Sequence, residues 1–347
     1  MVGGGLVGTT AAYFLALRGC DVVLLERSEI ACGATGRSLG LLRAGTHLPY
    51  AVARENHGPE VARTLRQLTG ENHALIRGLV ERLRIDCGYA RAGSLWISES
   101  AESRRTIEAL RSDGFVAEER SEGAYFPEDG EFDPVRFVRA LAAEAERAGA
   151  RLYEKTPVES IRGGRLRTPQ GRVEAEMILV ASNAWASGLV GLFEEVIAPV
   201  RSQCLATEPL PERLRSPLRL HGGMDVLRQL SGGIVLASGG RHVSPNREYT
   251  LSERTTEPIQ SYLESLVRDR VGLPIRVTHR WAGPMAFTCD ELPCIGPLPG
   301  TVSLYAAVGW HGSDLSLGFV GAKTVAEMML DGRTSYPSTL FSLRRHL

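Results

Sequence analysis

Gly3-Gly4-Gly5-Leu6-Val7-Gly8 opens the chain, and few folds can use such a turn at that place. The segment matches GxGxxG. A helical pattern rich in alanine and leucine follows from Leu6 to Arg18, and Gly19 is placed to stop it. Next comes Asp21-Val22-Val23-Leu24-Leu25-Glu26, a short bounded apolar run of the kind a buried parallel strand shows. Glu26 closes that run, 18 residues after Gly8. Each part has a physical task. Gly3, Gly5 and Gly8 permit a tight turn and a close approach of backbone to a pyrophosphate. The helix N-terminus offers unpaired N–H groups and the positive end of its dipole. Glu26 can accept hydrogen bonds from ribose hydroxyls. Turn, helix and acid-ended strand at this spacing predict a dinucleotide-binding unit. Only Met1 and Val2 precede the turn, so a short apolar strand upstream of Met1 is expected.

Length and charge narrow the class. A chain of 347 residues suggests about two domains. Basic and acidic residues number 40 each, so net charge is zero, which argues against a nucleic-acid partner. None of the six cysteines forms a CxxC pair, and no histidine cluster stands beside Cys289 and Cys294, so no metal site is read. Scattered cysteines fit a reducing compartment. With no signal peptide and no apolar run long enough to span a bilayer, a cytoplasmic location is expected. Nothing in the sequence sets an oligomeric state.

The next segment, Gly33-Ala34-Thr35-Gly36-Arg37-Ser38-Leu39-Gly40-Leu41-Leu42-Arg43, combines small residues with two side-chain donors, Arg37 and Ser38. It resembles the second flavin-contacting segment of the D-amino-acid oxidase family of FAD-dependent oxidoreductases. The glycine and sarcosine oxidases and the gamma-glutamylputrescine oxidase-like proteins belong to that family. Four further stretches carry the resemblance in the family's order. They are Ile178–Trp185, where Asn183 replaces a usual glycine, and Pro199–Gln203. The third is Arg280-Trp281-Ala282-Gly283-Pro284 with Asp290–Pro297, and the last is Leu304–Gly312 before a helical pattern to Leu330. An NAD-dependent dehydrogenase fits these C-terminal segments poorly.

The resemblance implies an α/β protein. An FAD-binding, Rossmann-like doubly wound domain would be formed by residues 1–50, 135–195 and 295–347. A substrate domain built on a mixed antiparallel sheet would be formed by 51–134 and 196–294. It implies one non-covalent FAD, contacted by Gly3, Gly5, Gly8, Glu26, Arg27, Gly36, Arg37, Ser38, Ala181, Trp185, Gly283, Gly309 and Gly312. A helix N-terminus after Gly309–Gly312 would aim N–H groups at the reduced flavin. Asp314, where the family tends to carry small uncharged residues, is expected to act as a cap.

The activity implied is FAD-dependent oxidation of a carbon–nitrogen bond in a small amine or N-substituted amino acid. Hydride would pass to the flavin and the imine product would hydrolyse. Whether such an enzyme is an oxidase or a dehydrogenase stays open, and a flavin-binding protein without turnover is the alternative. Arg43, Arg228 and His311 are the candidate catalytic residues: either arginine could hold a carboxylate by a two-pronged hydrogen bond. Met285 stands where glycine and D-amino-acid oxidases carry the carboxylate-binding arginine, which turns expectation away from simple D-amino acids. Lys155 and Lys323 are the only lysines, and neither falls where the sarcosine oxidase branch holds a lysine over its flavin, so slow reaction with oxygen is expected.

Overall fold

A computed structural model describes residues 1–347. The alanine- and leucine-rich run forms the helix Leu6–Leu17, buried on nearly every side. It packs against the helices Pro134–Arg147 and Asp314–Asp331. Gly19, at φ +78°, turns the chain away after it. The apolar run beyond forms the strand Val23–Leu25, parallel to Arg151–Tyr153. Ile178–Val180 runs parallel to Leu304–Val308, which pairs antiparallel with Cys294–Pro297. Val2 forms parallel bridges to both Leu25 and Val180. That one residue joins the two strips into a layer, and it delivers Gly3 to the ends of the strands.

The second unit is one mixed eight-stranded sheet whose strands come from residues 94–126 and 198–287. Alternating apolar residues around Gly232-Gly233 form a hairpin, Asp225–Gln229 against Ile234–Gly239. All its pairings are antiparallel except Leu218–Leu220 with Ser94–Ile97. The long pair Ala198–Pro209 and Val277–Phe287 sets Gly283 opposite Ser202 and Met285 opposite Val200. The helix Leu192–Val196 and the strand Cys294–Pro297 span the expected junctions at 195/196 and 294/295. No helix is long and apolar enough to cross a membrane.

A buried ion pair holds one edge of this sheet. Arg201 donates through Nε (2.8 Å) and Nη2 (2.7 Å) to the two oxygens of Glu248. Its Nη1 reaches the Arg254 carbonyl at 2.8 Å, and Gln203 also donates to the Glu248 carboxylate. Removing one partner strands the other charge away from water. Arg201→Met should therefore cost about 3–5 kcal/mol in urea denaturation, and Arg201→Met with Glu248→Leu should recover much of it. Loss of no more than about 1 kcal/mol in the single variant, the level of an exposed pair, would refute this account.

Candidate active site

Two adjoining cavities lie where the layer meets the large sheet. The first, of about 380 Å³, runs past Gly3 and Gly5 and is walled by Glu26, Arg27, Ala181 and Trp185. A Cβ on Gly8 would stand 2.0 Å from the Gly3 carbonyl oxygen, and one on Gly3 would stand 2.8 Å from that of Ala181. Side chains here would close the turn. Gly5, the N-cap of the helix Leu6–Leu17, places no side chain over the first-turn amides. Thr35 Oγ1 accepts the Leu6 amide at 3.0 Å, which leaves the amides of Val7 and Gly8 as the cradle for an anion. The Glu26 carboxylate accepts the amides of Gly4 (2.7 Å) and Ser28 (2.8 Å). That fixes it at the strand end with acceptor capacity left for ribose hydroxyls. The Arg27 guanidinium lies 3.9 Å from the Trp185 ring centroid, a cation–π stack at the mouth.

Gly36 and Gly309 line neither cavity. A Cβ on Gly36 would stand 2.2 Å from the Ala31 carbonyl, and one on Gly309 2.9 Å from the Thr288 methyl group. Both shape the walls from behind. Asn183 adopts φ +48°, as its place in a glycine position required. Its side-chain oxygen accepts the Gly309 amide at 3.2 Å.

The second cavity, of about 150 Å³, shares Arg37, Asn183, Pro284 and Asp314 with the first, so one long ligand can run through both. Ser38, Gly283 and Gly312 line it. Arg37 lies across Gly283, where a Cβ would meet its Cδ at 2.6 Å, and it pairs with Glu253 at 2.7 Å. A nucleotide cradle, a ribose-facing acid and a flat glycine-walled slot beyond them together fit FAD. FAD would be held by Gly3, Gly5, Glu26, Arg27, Arg37 and Gly283, with the slot against Gly312.

Of the three candidate catalytic residues, two line this second cavity and one does not. Arg43 is buried there, makes no ion pair, and donates to the Gly312 carbonyl at 3.3 Å. Burial, with Arg219 nearby, lowers its pKa to about 9. His311, at φ +53°, stacks on His47 with ring centroids 5.2 Å apart. Its Nε2 is 2.8 Å from the Thr288 hydroxyl, and its Nδ1 is buried without a partner. Burial above all, then His47, pulls its pKa down to about 3, and burial lowers that of His47 as well. His311 is therefore neutral near pH 7, while His47 faces Glu291 at 3.5 Å, which opposes the effect of burial on it. Arg228 lies outside the cavity. Its Nη1 donates to the carbonyls of Leu39 (2.6 Å) and Phe132 (3.1 Å), and Nε faces Glu131 at 2.9 Å. Held by two carbonyls and paired with Glu131, it braces the segment before Arg43.

Asp314 lines both cavities. Burial raises its pKa, opposed by its own amide, that of Leu315 and Arg43. The expected cap is not made: Ser313 is the N-cap, no side chain caps the helix, and Asp314 is its first residue, on the cavity wall. A carboxyl drawn toward its neutral form opposes negative charge beside it less. Arg241 is not among the candidate catalytic residues that the sequence offered. It lines the second cavity, lies 5.2 Å over the Phe287 ring, and has no acidic partner within ion-pair distance. One arginine among many carries no local mark; a position just after Gly239-Gly240, at the end of a strand, was the only signal.

The family model described as "FAD dependent oxidoreductase" matches residues 1–328. Glycine oxidase of Geobacillus kaustophilus is 27% identical, with 100% of this chain and 96% of that protein covered. Gamma-glutamylputrescine oxidoreductase of Escherichia coli is 27% identical over 95% of this chain and 82% of its own length. The crystal structure of the Geobacillus glycine oxidase superposes with a TM-score of 0.86 at 26% identity, covering 100% of this chain and 98% of that one.

Two outcomes follow from this geometry. Gly8→Ala should purify colourless or nearly so, because the added methyl closes the turn; a yellow protein with wild-type visible absorbance would contradict the cradle. The second concerns pH. A histidine whose folded pKa is depressed stabilises the fold fully above its unfolded value of about 6.5. That stability is lost as pH falls from there toward about 3 for His311. His311→Asn, which tolerates the left-handed backbone, should show a shallower fall in Tm over that window than wild type. Parallel Tm curves would rule the histidine out as a source of acid lability.

Proposed function

Because the chain belongs to the FAD dependent oxidoreductase family, we propose that it oxidises the carbon–nitrogen bond of a small amine or amino acid, best an N-substituted amino acid. The observation that carries this reading is Arg241. Its guanidinium lines the second cavity with no acidic partner within ion-pair distance, in the same cavity as Arg43, which is also without one. Burial lowers the pKa of each, and desolvated cations of this kind are complements for a carboxylate. Asp314 is the one acidic residue on that cavity wall. The amino-acid and polyamine-derived substrates named in the two relatives suit the same reading.

FAD, when bound, supplies the acceptor for the hydride that leaves the carbon next to nitrogen. The residues of this chain do the rest by holding and excluding. Arg241 and Arg43 grip the carboxylate and so fix which carbon faces the slot. Met285, where some relatives of the family carry an arginine, presents an apolar wall. That wall accommodates an N-alkyl group. Neutral His311 adds no positive charge beside the substrate nitrogen, which reacts as the free amine. The imine product hydrolyses in water.

Flavin bleaching without oxygen tests the reading. An N-methyl amino acid should bleach the holoenzyme faster than the D-amino acid of the same side chain. Arg241→Met should lower kcat/KM for the acid by roughly 10- to 100-fold, the value of a charged hydrogen bond of about 1.5–3 kcal/mol, and leave the decarboxylated amine unaffected. Equal losses on acid and amine would dismiss Arg241 as the anchor. No bleaching by any amine or amino acid would favour a flavin-binding protein without turnover.

A further inference from the structure

Beside the second cavity, behind the residues that line it, His221, Asp225 and His242 converge. Asp225 opens the strand Asp225–Gln229 and is fully buried. Its Oδ1 accepts the Gly240 amide at 2.7 Å. Its Oδ2 faces three polar groups. The Tyr262 hydroxyl donates to it at 2.6 Å, His221 Nδ1 lies 2.7 Å away, and His242 Nδ1 lies 4.0 Å away. The imidazole centroids are 4.8 Å apart, and both histidines are exposed at their outer edges.

Tyr262 and His221 already satisfy the carboxylate oxygen. A second imidazole, turned toward the same oxygen from beyond hydrogen-bond reach, has no part in that network. Two imidazole nitrogens and a carboxylate oxygen are a ligand set for a divalent transition metal. All the ligand atoms lie within 4.8 Å of one another. Bonds of about 2.0–2.2 Å in a tetrahedral site need ligand atoms roughly 3.3–3.6 Å apart. His221 must back off slightly and His242 close in, movements within reach of exposed rings. The backbone is already committed. His221 is held at φ +49°, and Gly239 must lack a side chain because a Cβ would stand 2.0 Å from Asp225 Oδ1. The geometry points to a site for one Zn²⁺-class ion on His221, Asp225 and His242. Solvent would take the fourth position, and the Tyr262 hydroxyl would orient the carboxylate.

The site has a consequence for the substrate cavity. Gly223 and Met224 lie between His221 and Asp225, and Arg241 precedes His242; all three line the cavity. An ion here ties the two segments together and holds Arg241 in register, so the metal ligands are positioning residues. This consequence rests on the proposed function, whereas the binding itself does not.

The test uses tag-free holoenzyme stripped of metal and titrated with Zn²⁺ against a chromophoric chelator. One equivalent should bind. His242→Ala and His221→Ala should each abolish that binding, Tyr262→Phe should weaken it about tenfold, and the flavin spectrum should stay unchanged in all three. Metal-free wild type and His242→Ala should then share one raised KM for the carboxylate substrate at unchanged kcat. Absence of stoichiometric Zn²⁺, or equal binding in the two alanine variants and wild type, overturns the site. Binding with an unmoved KM overturns the positioning role. Failure of the proposed function shows up separately, as a flavin that no amine bleaches while the Zn²⁺ titration still reads out.

Discussion

Between the Gly8 α-carbon and the Gly3 carbonyl there is no room for a methyl group. That approach fixes how the helix Leu6–Leu17 leaves the turn, and much of the site follows from its direction. The helix is packed against Asp314–Asp331 and against Pro134–Arg147. Its placement therefore decides where the other helix begins, which is at the junction of the two cavities. Gly318 on that second helix faces Val7 and Leu6 across the contact, with 3.2 Å available to a Cβ. Two helix N-termini thus point into one continuous slot, and both dipoles favour negative charge there. A pyrophosphate at the first end and a reduced flavin at the second are the charges such an arrangement suits.

The arginines of the molecule separate by how they are paired rather than by how deeply they are buried. Arg201 is almost wholly enclosed, and Glu248 with the Arg254 carbonyl answers every prong of it. Arg228 is equally enclosed and bound to two carbonyls and Glu131. Both are structural. Arg43 has one long hydrogen bond to a carbonyl, and Arg241 has neither hydrogen bond nor ion pair. Desolvation without compensation is costly, and a fold keeps such groups where an incoming anion supplies what is missing. Asp129 offsets part of that cost through space for Arg43 and Arg219, at 3.9 Å from Arg219, but hydrogen-bonds to neither. Its oxygens accept the Ala44 amide at 2.7 Å and the Ser94 hydroxyl at 2.5 Å.

The nucleotide half of the site was legible because its determinants are local. A glycine turn, a helix and an acid-ended strand are set within about one supersecondary unit, and each leaves its own mark in the sequence. Asn183 in a glycine position was readable for the same reason, since one residue's backbone angle decided it. The substrate half was not legible, because sheet pairing between distant segments made it. Arg228 looked like a cavity residue until the carbonyls of Leu39 and Phe132, 189 and 96 residues away, proved to hold it. His47 stacks on His311 across a still longer stretch of chain, and nothing in either segment announces the pair. Arg241 became distinguishable only once the absence of a partner could be seen.

The turn at Gly239-Gly240 shows how one local choice serves two ends. Asp225 and Gly239 close the open end of the hairpin, where Val226 pairs with Ser238. The Asp225 carboxylate occupies the space that a side chain at Gly239 would need, and it captures the amide of Gly240, which lies at φ +75°. Held there, the chain presents Arg241 to the cavity and His242 to the outside. Asp225 also opposes the desolvation that lowers the Arg241 pKa. No hydrogen bond joins the two residues, yet Asp225 bears on the position of Arg241 through the backbone and on its pKa through space. A change at Asp225 therefore reaches Arg241 by two routes. A change at His221 or His242 reaches it only through the loops they end.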